Sequence, residues 1–348
     1  MIAVRVSASR TYDITIGSGL LPGCGQTIRD YCPGGVCAVV TDDTVNALYA
    51  QTAEKSLRDA GLAPVKFVFP HGESAKNAEN YIKLLEFLAE NGLTRADAVV
   101  ALGGGVAGDL AGFAAATYLR GISLIQLPTT LLAAVDSSVG GKTGIDLRAG
   151  KNLAGAFYQP CAVLCDVDTL ATLPEREFRA GCGEVAKYAV LCGEFYDMLL
   201  ARGTDFPREA TITRCVLQKR DLIAADEFDV GQRQLLNLGH TVGHAVEALS
   251  GYTIRHGEAV AIGMATIARA AAAAGLCGCA DEIGALLNRF GLPTRCPYDA
   301  DALVNAMRSD KKRRGDTLTL VIPEELGRCV LHPIHVDALY DFVKAGIL

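Results

Sequence analysis

Apolar and polar positions follow two different rhythms along this chain. In its first half, short apolar runs alternate with longer stretches of helical spacing. Val36–Val40 is an apolar run closed by Thr41-Asp42-Asp43, and helical spacing follows from Thr44 to Ala60. Val65–Phe69 predicts a second strand and Ala78–Asn91 a helix that stops near Gly92. Ala98–Leu102 predicts a third strand, followed by three glycines and a helix over Asp109–Leu119, and Ile122–Leu127 predicts a fourth. Such alternation implies a mostly parallel sheet with helices on its faces. Ala3–Val6 and Asp13–Ile16 predict an antiparallel pair added to it.

After about Pro174 the rhythm changes. Helical periodicity dominates, over Glu184–Leu191, Thr211–Ala225, Leu236–Leu249, Glu258–Ala274 and Asp281–Phe290, with one further β signal at Thr317–Ile322. This places a domain boundary near residue 173, giving segments 1–173 and 174–348. No Gly/Ser linker marks it, so the halves are expected to pack closely around a cleft, a common ligand position.

Composition narrows the class. A length of 348 residues is a soft prior for two domains. With 50% hydrophobic and 21% charged residues the chain can bury a large core, which excludes general disorder. The charge of 33 minus 39, or -6, argues against a nucleic-acid surface. Twelve cysteines scattered from Cys24 to Cys329 do not form the dense framework of a small secreted domain. The opening MIAVRVSASR shows no basic n-region followed by an apolar h-region, so a reducing cytoplasm is the expected home. Ala259–Gly275, interrupted by Arg269, is too short and too weakly apolar to span a bilayer and reads as a buried helix, so no membrane partner is expected.

The glycines carry chemistry. Of 37, 11 fall within residues 103–155, about twice a uniform spread. Gly103-Gly104-Gly105-Val106-Ala107-Gly108 satisfies G-x-G-x-x-G after a predicted strand and before a predicted helix, where backbone N–H groups attract phosphate oxygens. Out of that context the same glycines would read as a tight turn. The dinucleotide fingerprint is incomplete, because the acid expected about 20 positions on is missing from ISLIQLP. Candidate acids lie elsewhere, at Asp42 and Glu73. Next come Pro128-Thr129-Thr130, the run Asp136–Gly144 with Lys142, and Gly150-Lys151-Asn152. These read as a polyanion pocket in glycine-rich loops; the bland alternative is a solvated loop with incidental lysines. GGKTG lacks the G-x-x-x-x-G-K-[ST] spacing of a P-loop.

Three of the six histidines lie within Leu236–His256. His240, His244 and Glu247 share one helical face, at about 100° per residue, and His256 precedes the next helix. Paired histidines on a face suit a metal or proton transfer, against the plainer reading of packed core histidines. Thr241 replaces the glutamate of H-E-x-x-H, which argues against a zinc protease. Glu184 is a candidate oxygen ligand, three residues from Lys187; alone, that spacing suits an exposed ion pair equally well. Cys277-Gly278-Cys279 and Cys161/Cys165 lack a partner pair at zinc-ribbon spacing and read as buried or incidental thiols.

Taken together, GGGVAGDLAGFAAATYLRG, LPTTLLAAVDSSVGGKTGID, GKNLAGAFYQP, AGCGEVAKYAV, AADE, NLGHTVGHAVEA, HGEAVAIGM and SDKK, in this order and spacing, resemble the 3-dehydroquinate synthases over nearly the whole chain. Ala134 stands where glutamine is frequent in that family, and Tyr158 where histidine is; neither is an acid, base or ligand relied on. The resemblance implies an α/β N-terminal Rossmann-like nucleotide-binding domain and an all-α C-terminal metal-binding domain, with the active site in the cleft. It implies conversion of 3-deoxy-D-arabino-heptulosonate 7-phosphate, a phosphorylated keto-acid sugar, to 3-dehydroquinate and phosphate, in the shikimate route to chorismate and aromatic amino acids. It further implies that NAD would act catalytically, oxidising the C5 alcohol to acidify the neighbouring C–H for phosphate elimination, with the hydride returned before an aldol ring closure.

The resemblance also assigns residues. Glu184, His240 and His256 would hold Zn²⁺ or Co²⁺, which stabilises a developing alkoxide, and His244 would transfer protons. Lys187 and Asp136 would lie at the reacting hydroxyls. Arg233 and Lys219, with Asn237, match the family's carboxylate pole. Lys142, Asn152 and Arg120 match the phosphate pole, with Lys311 or Lys312 closing over it. Arg120 would come from a neighbouring subunit, implying a homodimer. NAD positions match at Asp42, Glu73 and Lys76, at Gly105, Val106, Ala107, Gly108 and Asp109, and at Thr129, Thr130, Lys142 and Lys151. Thr169, Leu170 and Thr172 complete them. A cyclase making an inosose or a valiolone would act on a substrate without the carboxylate and would not need Lys219 and Arg233. A metal-dependent alcohol or glycerol-phosphate dehydrogenase would release NADH stoichiometrically. A silent NAD-binding scaffold would not need the acids, histidines and lysines present here.

Overall fold

In the computed structural model, which describes residues 1–308 and 316–347, the chain divides into two units. The first comprises Met1–Leu173 and Arg208–Phe228. Its strands are β1 (Ile2–Ser7), β2 (Thr11–Gly17), β3 (Val36–Asp42), β4 (Ala63–Phe69), β5 (Ala98–Gly103), β6 (Ser123–Pro128), β7 (Lys142–Leu147), β8 (Gly150–Phe157) and β9 (Ala162–Asp166). Seven form one sheet in the order β1-β2-β9-β6-β5-β3-β4. Only the β1–β2 pairing is antiparallel; the others are parallel.

The central strands explain the apolar runs. Every residue of β5 and β9 is buried, as expected of parallel strands covered on both faces. Alternate residues serve opposite faces: Val39 and Val100 pack with Ile28 and Leu57, while Val40 and Val99 pack with Leu84 and Leu110. On edge strand β1 only Val4 and Val6 are buried, opposite Ile14 and Tyr12.

Two expectations need correction in this unit. Residues 142–157, read as glycine-rich loops, form the antiparallel hairpin β7–β8, in which Gly144 pairs with Gly155. Glycine at paired positions hides the alternation that announces a strand. The helix Arg208–Ala225, read as part of the second half, belongs to the first unit. Its Lys219 Nζ donates to the backbone oxygen of Asp136 at 2.9 Å and pairs with the Asp136 carboxylate. Just beyond it, Glu227 accepts from Ser9 N at 2.7 Å, Ser9 Oγ at 2.6 Å and Gln159 Nε2 at 2.9 Å. Periodicity identifies a helix but not what it packs against.

The second unit comprises Pro174–Pro207 and Asp229–Leu348. It is mainly helical, as expected, and among the described residues it carries one antiparallel hairpin, β10 (Thr317–Glu325) and β11 (Arg328–His335). The strand signal at Thr317–Ile322 is one arm of that hairpin; Pro333 and the scattered polar residues of β11 masked the other. The element Leu236–Leu249 is also not one helix. A 3₁₀ turn, Gln232–Asn237, ends before Gly239, whose left-handed φ of 77° redirects the chain so that an α-helix begins at His240. Among the described residues, no helix is long and apolar enough to cross a membrane. Lys311 and Lys312 lie outside the described residues.

Among the helices that carry candidate residues are α1 (Gly105–Thr117), α2 (Glu175–Cys192), α3 (His240–Leu249) and α4 (His256–Ala273).

Candidate active site

In the second unit, α2, α3 and α4 bring three candidate ligands together. Glu184 is buried on α2, and its Oε1 lies 3.4 Å from His240 Nε2 and 3.2 Å from His256 Nε2. Its Oε2 lies 2.5 Å from Lys187 Nζ. The His240 and His256 rings sit 5.2 Å apart, and His244 completes a triangle with them at 5.6 and 6.1 Å. Glycine makes this approach possible. Gly183 and Gly257, each beside a ligand, face one another: a Cβ on Gly257 would collide with the Ala180 carbonyl, and one on Gly183 with the Gly257 carbonyl.

The electrostatics favour a cation. Burial alone would raise the Glu184 pKa, but Lys187 and His240 outweigh it and hold the carboxyl well below its usual range. Burial pushes His240 down against the pull of Glu184. For His256 burial is overcome by Glu247 and Glu184, which carry it up to about 10. The donor set fits a metal. Lys187 holds the buried Oε2 of Glu184, whereas the buried Oε1 has no hydrogen bond and faces two imidazole nitrogens. Such a group is costly unless something satisfies it, and one oxygen with two nitrogens suits Zn²⁺ or Co²⁺. His244, Glu247 and His256 form a second possible donor group sharing His256. There, however, Glu247 Oε2 is already engaged with His256 Nδ1, at 3.1 Å.

Lys187 is fully buried, with its Nζ over the Tyr188 ring, 4.7 Å from the centroid. Arg233, also buried, and Asn237 share the 3₁₀ turn that leads into His240.

In the first unit, the candidate nucleotide residues gather at the C-terminal ends of adjacent strands, where ligands bind in open α/β sheets. Helix α1 opens at Gly105, four residues earlier than expected, with no acid in its first turn and no side-chain cap. The N–H groups of Gly105, Val106 and Ala107 therefore begin a helix with no intrahelical acceptor, while Gly108 N returns to Gly104 O at 3.1 Å. Asp42 ends β3, the neighbour of β5. Its Oδ1 caps Val45 N at 2.9 Å, and its Oδ2 is 3.6 Å from where a Cβ on Gly103 would stand. An acid thus stands beside the glycine loop, on a strand earlier in sequence. Thr129 follows β6; its N donates to Gly103 O at 2.9 Å, and its buried hydroxyl has no protein partner. Thr130 Oγ1 accepts from Ala133 N at 3.2 Å. Thr169, Leu170 and Thr172 lie on the 3₁₀ turn after β9, and Tyr49 Oη reaches Thr169 O at 2.9 Å and Thr172 Oγ1 at 2.5 Å.

A charged cluster surrounds Lys76. Its buried Nζ lies 3.0 Å from Glu73 Oε1, 3.0 Å from Asp109 Oδ2 and 2.7 Å from Asn152 Oδ1. Lys151 Nζ is 3.3 Å from Glu73. Burial opposes charge on Lys76, but Asp109, Glu73 and Asp146 outweigh it and raise its pKa. Glu73 is held low by Lys76 and Lys151 despite burial, while burial raises Asp109 against Lys76.

Asp146 is a residue that sequence reasoning missed. Its Oδ1 accepts from Asn152 N at 2.8 Å, and its own N donates to Lys76 O at 2.8 Å. It thereby pins Asn152, whose φ of 54° is unusual for a side-chain-bearing residue. An aspartate in a glycine-rich stretch offered no periodic signal.

The remaining candidates are spread through the first unit. Asp136 pairs with Lys219 rather than standing free. Lys142 is exposed at the start of β7. Arg120 is exposed and, like Leu119, left-handed, with φ of 65° and 51°.

Comparison with known proteins resolves the family. The model for "3-dehydroquinate synthase N-terminal" matches residues 66–180, and that for "3-dehydroquinate synthase C-terminal" matches residues 181–313. The chain belongs to the 3-dehydroquinate synthase family. Its activity is that of a 3-dehydroquinate synthase, a phosphate-eliminating lyase. The 3-dehydroquinate synthase of Streptococcus suis is 44% identical over 343 residues, covering 96% of this chain and 97% of that one. Among solved structures, a 2-deoxy-scyllo-inosose synthase with carbaglucose-6-phosphate, NAD⁺ and Co²⁺ matches with a TM-score of 0.88 at 27% identity, over 99% of this chain and 100% of that chain. ValA, a 2-epi-5-epi-valiolone synthase from Streptomyces hygroscopicus with NAD⁺ and Zn²⁺, matches with a TM-score of 0.88 at 27% identity, over 99% and 98%.

Proposed function

We propose that the chain converts 3-deoxy-D-arabino-heptulosonate 7-phosphate to 3-dehydroquinate and phosphate, with catalytic NAD and a resident Zn²⁺ or Co²⁺, as a cytoplasmic homodimer in the shikimate route. The observation that carries this reading is the buried Glu184 carboxylate, whose Oε1 faces two imidazole nitrogens without a hydrogen bond while Lys187 holds Oε2. Glu184, His240 and His256 would hold the cation. When bound, NAD takes up and returns a hydride, and the divalent metal stabilises negative charge developing on a substrate oxygen.

The chain's own residues do the rest. The N–H groups opening α1, with Asp42, Thr129, Thr130 and Lys151, bind the dinucleotide; Asp42 takes a ribose hydroxyl. Lys76 orders Glu73, Asp109 and Asn152 around it. The turn carrying Thr169, Leu170 and Thr172 closes the nucleotide's other side. Lys187 keeps Glu184 ionised, and its ammonium lies next to the reacting hydroxyls. His244, close to the ligands but outside their set, moves protons at its imidazole. Lys219 grips Asp136 and fixes its carboxylate for hydrogen bonding to substrate. Arg233, with Asn237, receives the substrate carboxylate. Lys142 and Asn152 receive the phosphate, with Arg120 supplied by a second copy.

The buried guanidinium of Arg233 supports a carboxylate-bearing substrate over the carboxylate-free ones of the related cyclases. Competing heptulosonate phosphate against a hexose 6-phosphate tests this directly. The expected result is turnover of the keto acid alone; equal turnover of the hexose phosphate would make the chain a cyclase of broader specificity.

A further inference from the structure

Beside the Glu184–His240–His256 group lies a buried carboxylate that it does not use. Glu247 is on α3, three residues after His244, and is 2% exposed. Two donors, Tyr252 N and Ser250 Oγ, each bond its backbone oxygen at 2.9 Å and fix this end of α3. Its Oε2 lies 3.1 Å from His256 Nδ1, while His256 Nε2 lies 3.2 Å from Glu184 Oε1. The two nitrogens of one ring therefore face two different carboxylates. His240 repeats the pattern with a weaker partner: its Nδ1 lies 3.1 Å from the Leu238 backbone oxygen and its Nε2 3.4 Å from Glu184 Oε1.

We propose that Glu247 is a positioning residue for His256. By accepting from Nδ1–H it fixes the tautomer, so the Nε2 lone pair points to the place that Glu184 and His240 also face. A carboxylate behind an imidazole also makes it a stronger donor than a carbonyl does. His256 thus becomes the stronger of the two nitrogen ligands, and His240 the weaker. The other arrangement of these side chains, with Glu247 itself a ligand, would require it to give up the Nδ1 contact it makes. The inference rests on the metal reading proposed above.

The test is zinc affinity of the full-length protein, stripped of metal and measured by competition with a chromophoric chelator. ¹⁵N-histidine spectra of the zinc-loaded wild type provide a second readout. Glu247→Ala is expected to weaken zinc about 10- to 100-fold. Glu247→Gln, which keeps an acceptor but not the charge, is expected to lose less. The spectra are expected to show His256 protonated at Nδ1 and metal-bound at Nε2. Either folded variant binding zinc within twofold of wild type would overturn the proposal. So would protonation at Nε2, or a Co²⁺ spectrum in Glu247→Gln that reports a lost ligand. Should Glu247→Ala not fold, the glutamine variant and the spectra still decide. Failure of the underlying metal reading has its own signature, in that Glu184→Gln and His240→Ala would keep wild-type zinc affinity, and the inference would fall with it.

Discussion

Glu184 on α2 and His256 on α4 come within 3.2 Å because the residues beside them, Gly183 and Gly257, are glycines. The two helices touch backbone to backbone there. Gly257→Ala is therefore expected to push the helices apart, with an overpacking cost of about 1–3 kcal/mol and a loss of zinc affinity. Thermal unfolding with and without chelator checks both, since the added zinc stabilisation of the wild type should shrink in the variant. Unchanged zinc stabilisation would show that the close approach does not matter.

His256 and His244 are expected to separate by function. His256→Ala should lose zinc outright. His244→Ala should keep zinc but turn over about 10²- to 10⁴-fold more slowly, the usual range for a lost acid–base group. Metal analysis of purified variants alongside steady-state rates distinguishes the two, and the opposite pattern would reverse their roles.

Asp42 has two tasks that one pair of substitutions can divide. Its Oδ1 caps Val45 N at 2.9 Å, and asparagine caps a helix about as well as aspartate. Asp42→Asn should thus keep thermal stability while NAD affinity falls about tenfold, the order expected when a hydrogen bond to a charged group is lost. Asp42→Ala should lose about 1 kcal/mol of stability as well. Calorimetric NAD titration checks the first effect and thermal melts the second.

How much of this was legible in sequence depends on what kind of signal each feature leaves. The apolar runs of β3, β5 and β6 were legible because both faces of a parallel sheet are covered. The glycine loop after β5 was equally clear. The acid beside it was legible only as one of two candidates, Asp42 and Glu73, because Asp42 meets Gly103 across the sheet, from a strand that precedes β5 in the chain, and a rule that counts forward looks in the wrong place. The β7–β8 hairpin was hidden by its glycines, and Asp146 with it. Helical spacing revealed Thr211–Ala225 but could not show that Lys219 reaches Asp136. The face shared by His240, His244 and Glu247 was visible. That Glu247 serves His256, nine residues on, required the turn between α3 and α4.

Asp146 shows what that hidden hairpin does. Asp146→Ala removes the bond that holds Asn152 N and the 3.8 Å approach to Lys76. The expected cost is about 1–3 kcal/mol in stability, with weaker NAD binding because Asn152 no longer faces Lys76. A melt and an NAD titration on the same preparation test both. Stability lost with NAD affinity intact would confine Asp146 to a structural task.

Arg233→Ala should chiefly raise KM, because it removes the buried guanidinium proposed for the substrate carboxylate; an unchanged KM would count against that pole.

The central claim is that hydride leaves and returns within one turnover while phosphate is released. The most direct measurement follows phosphate, 3-dehydroquinate and absorbance of NADH together, in zinc-loaded protein given heptulosonate phosphate and NAD. The account predicts one phosphate and one dehydroquinate per substrate consumed, with no net NADH. NADH accumulating in step with substrate loss, or no phosphate release from folded, metal-loaded protein, would contradict it.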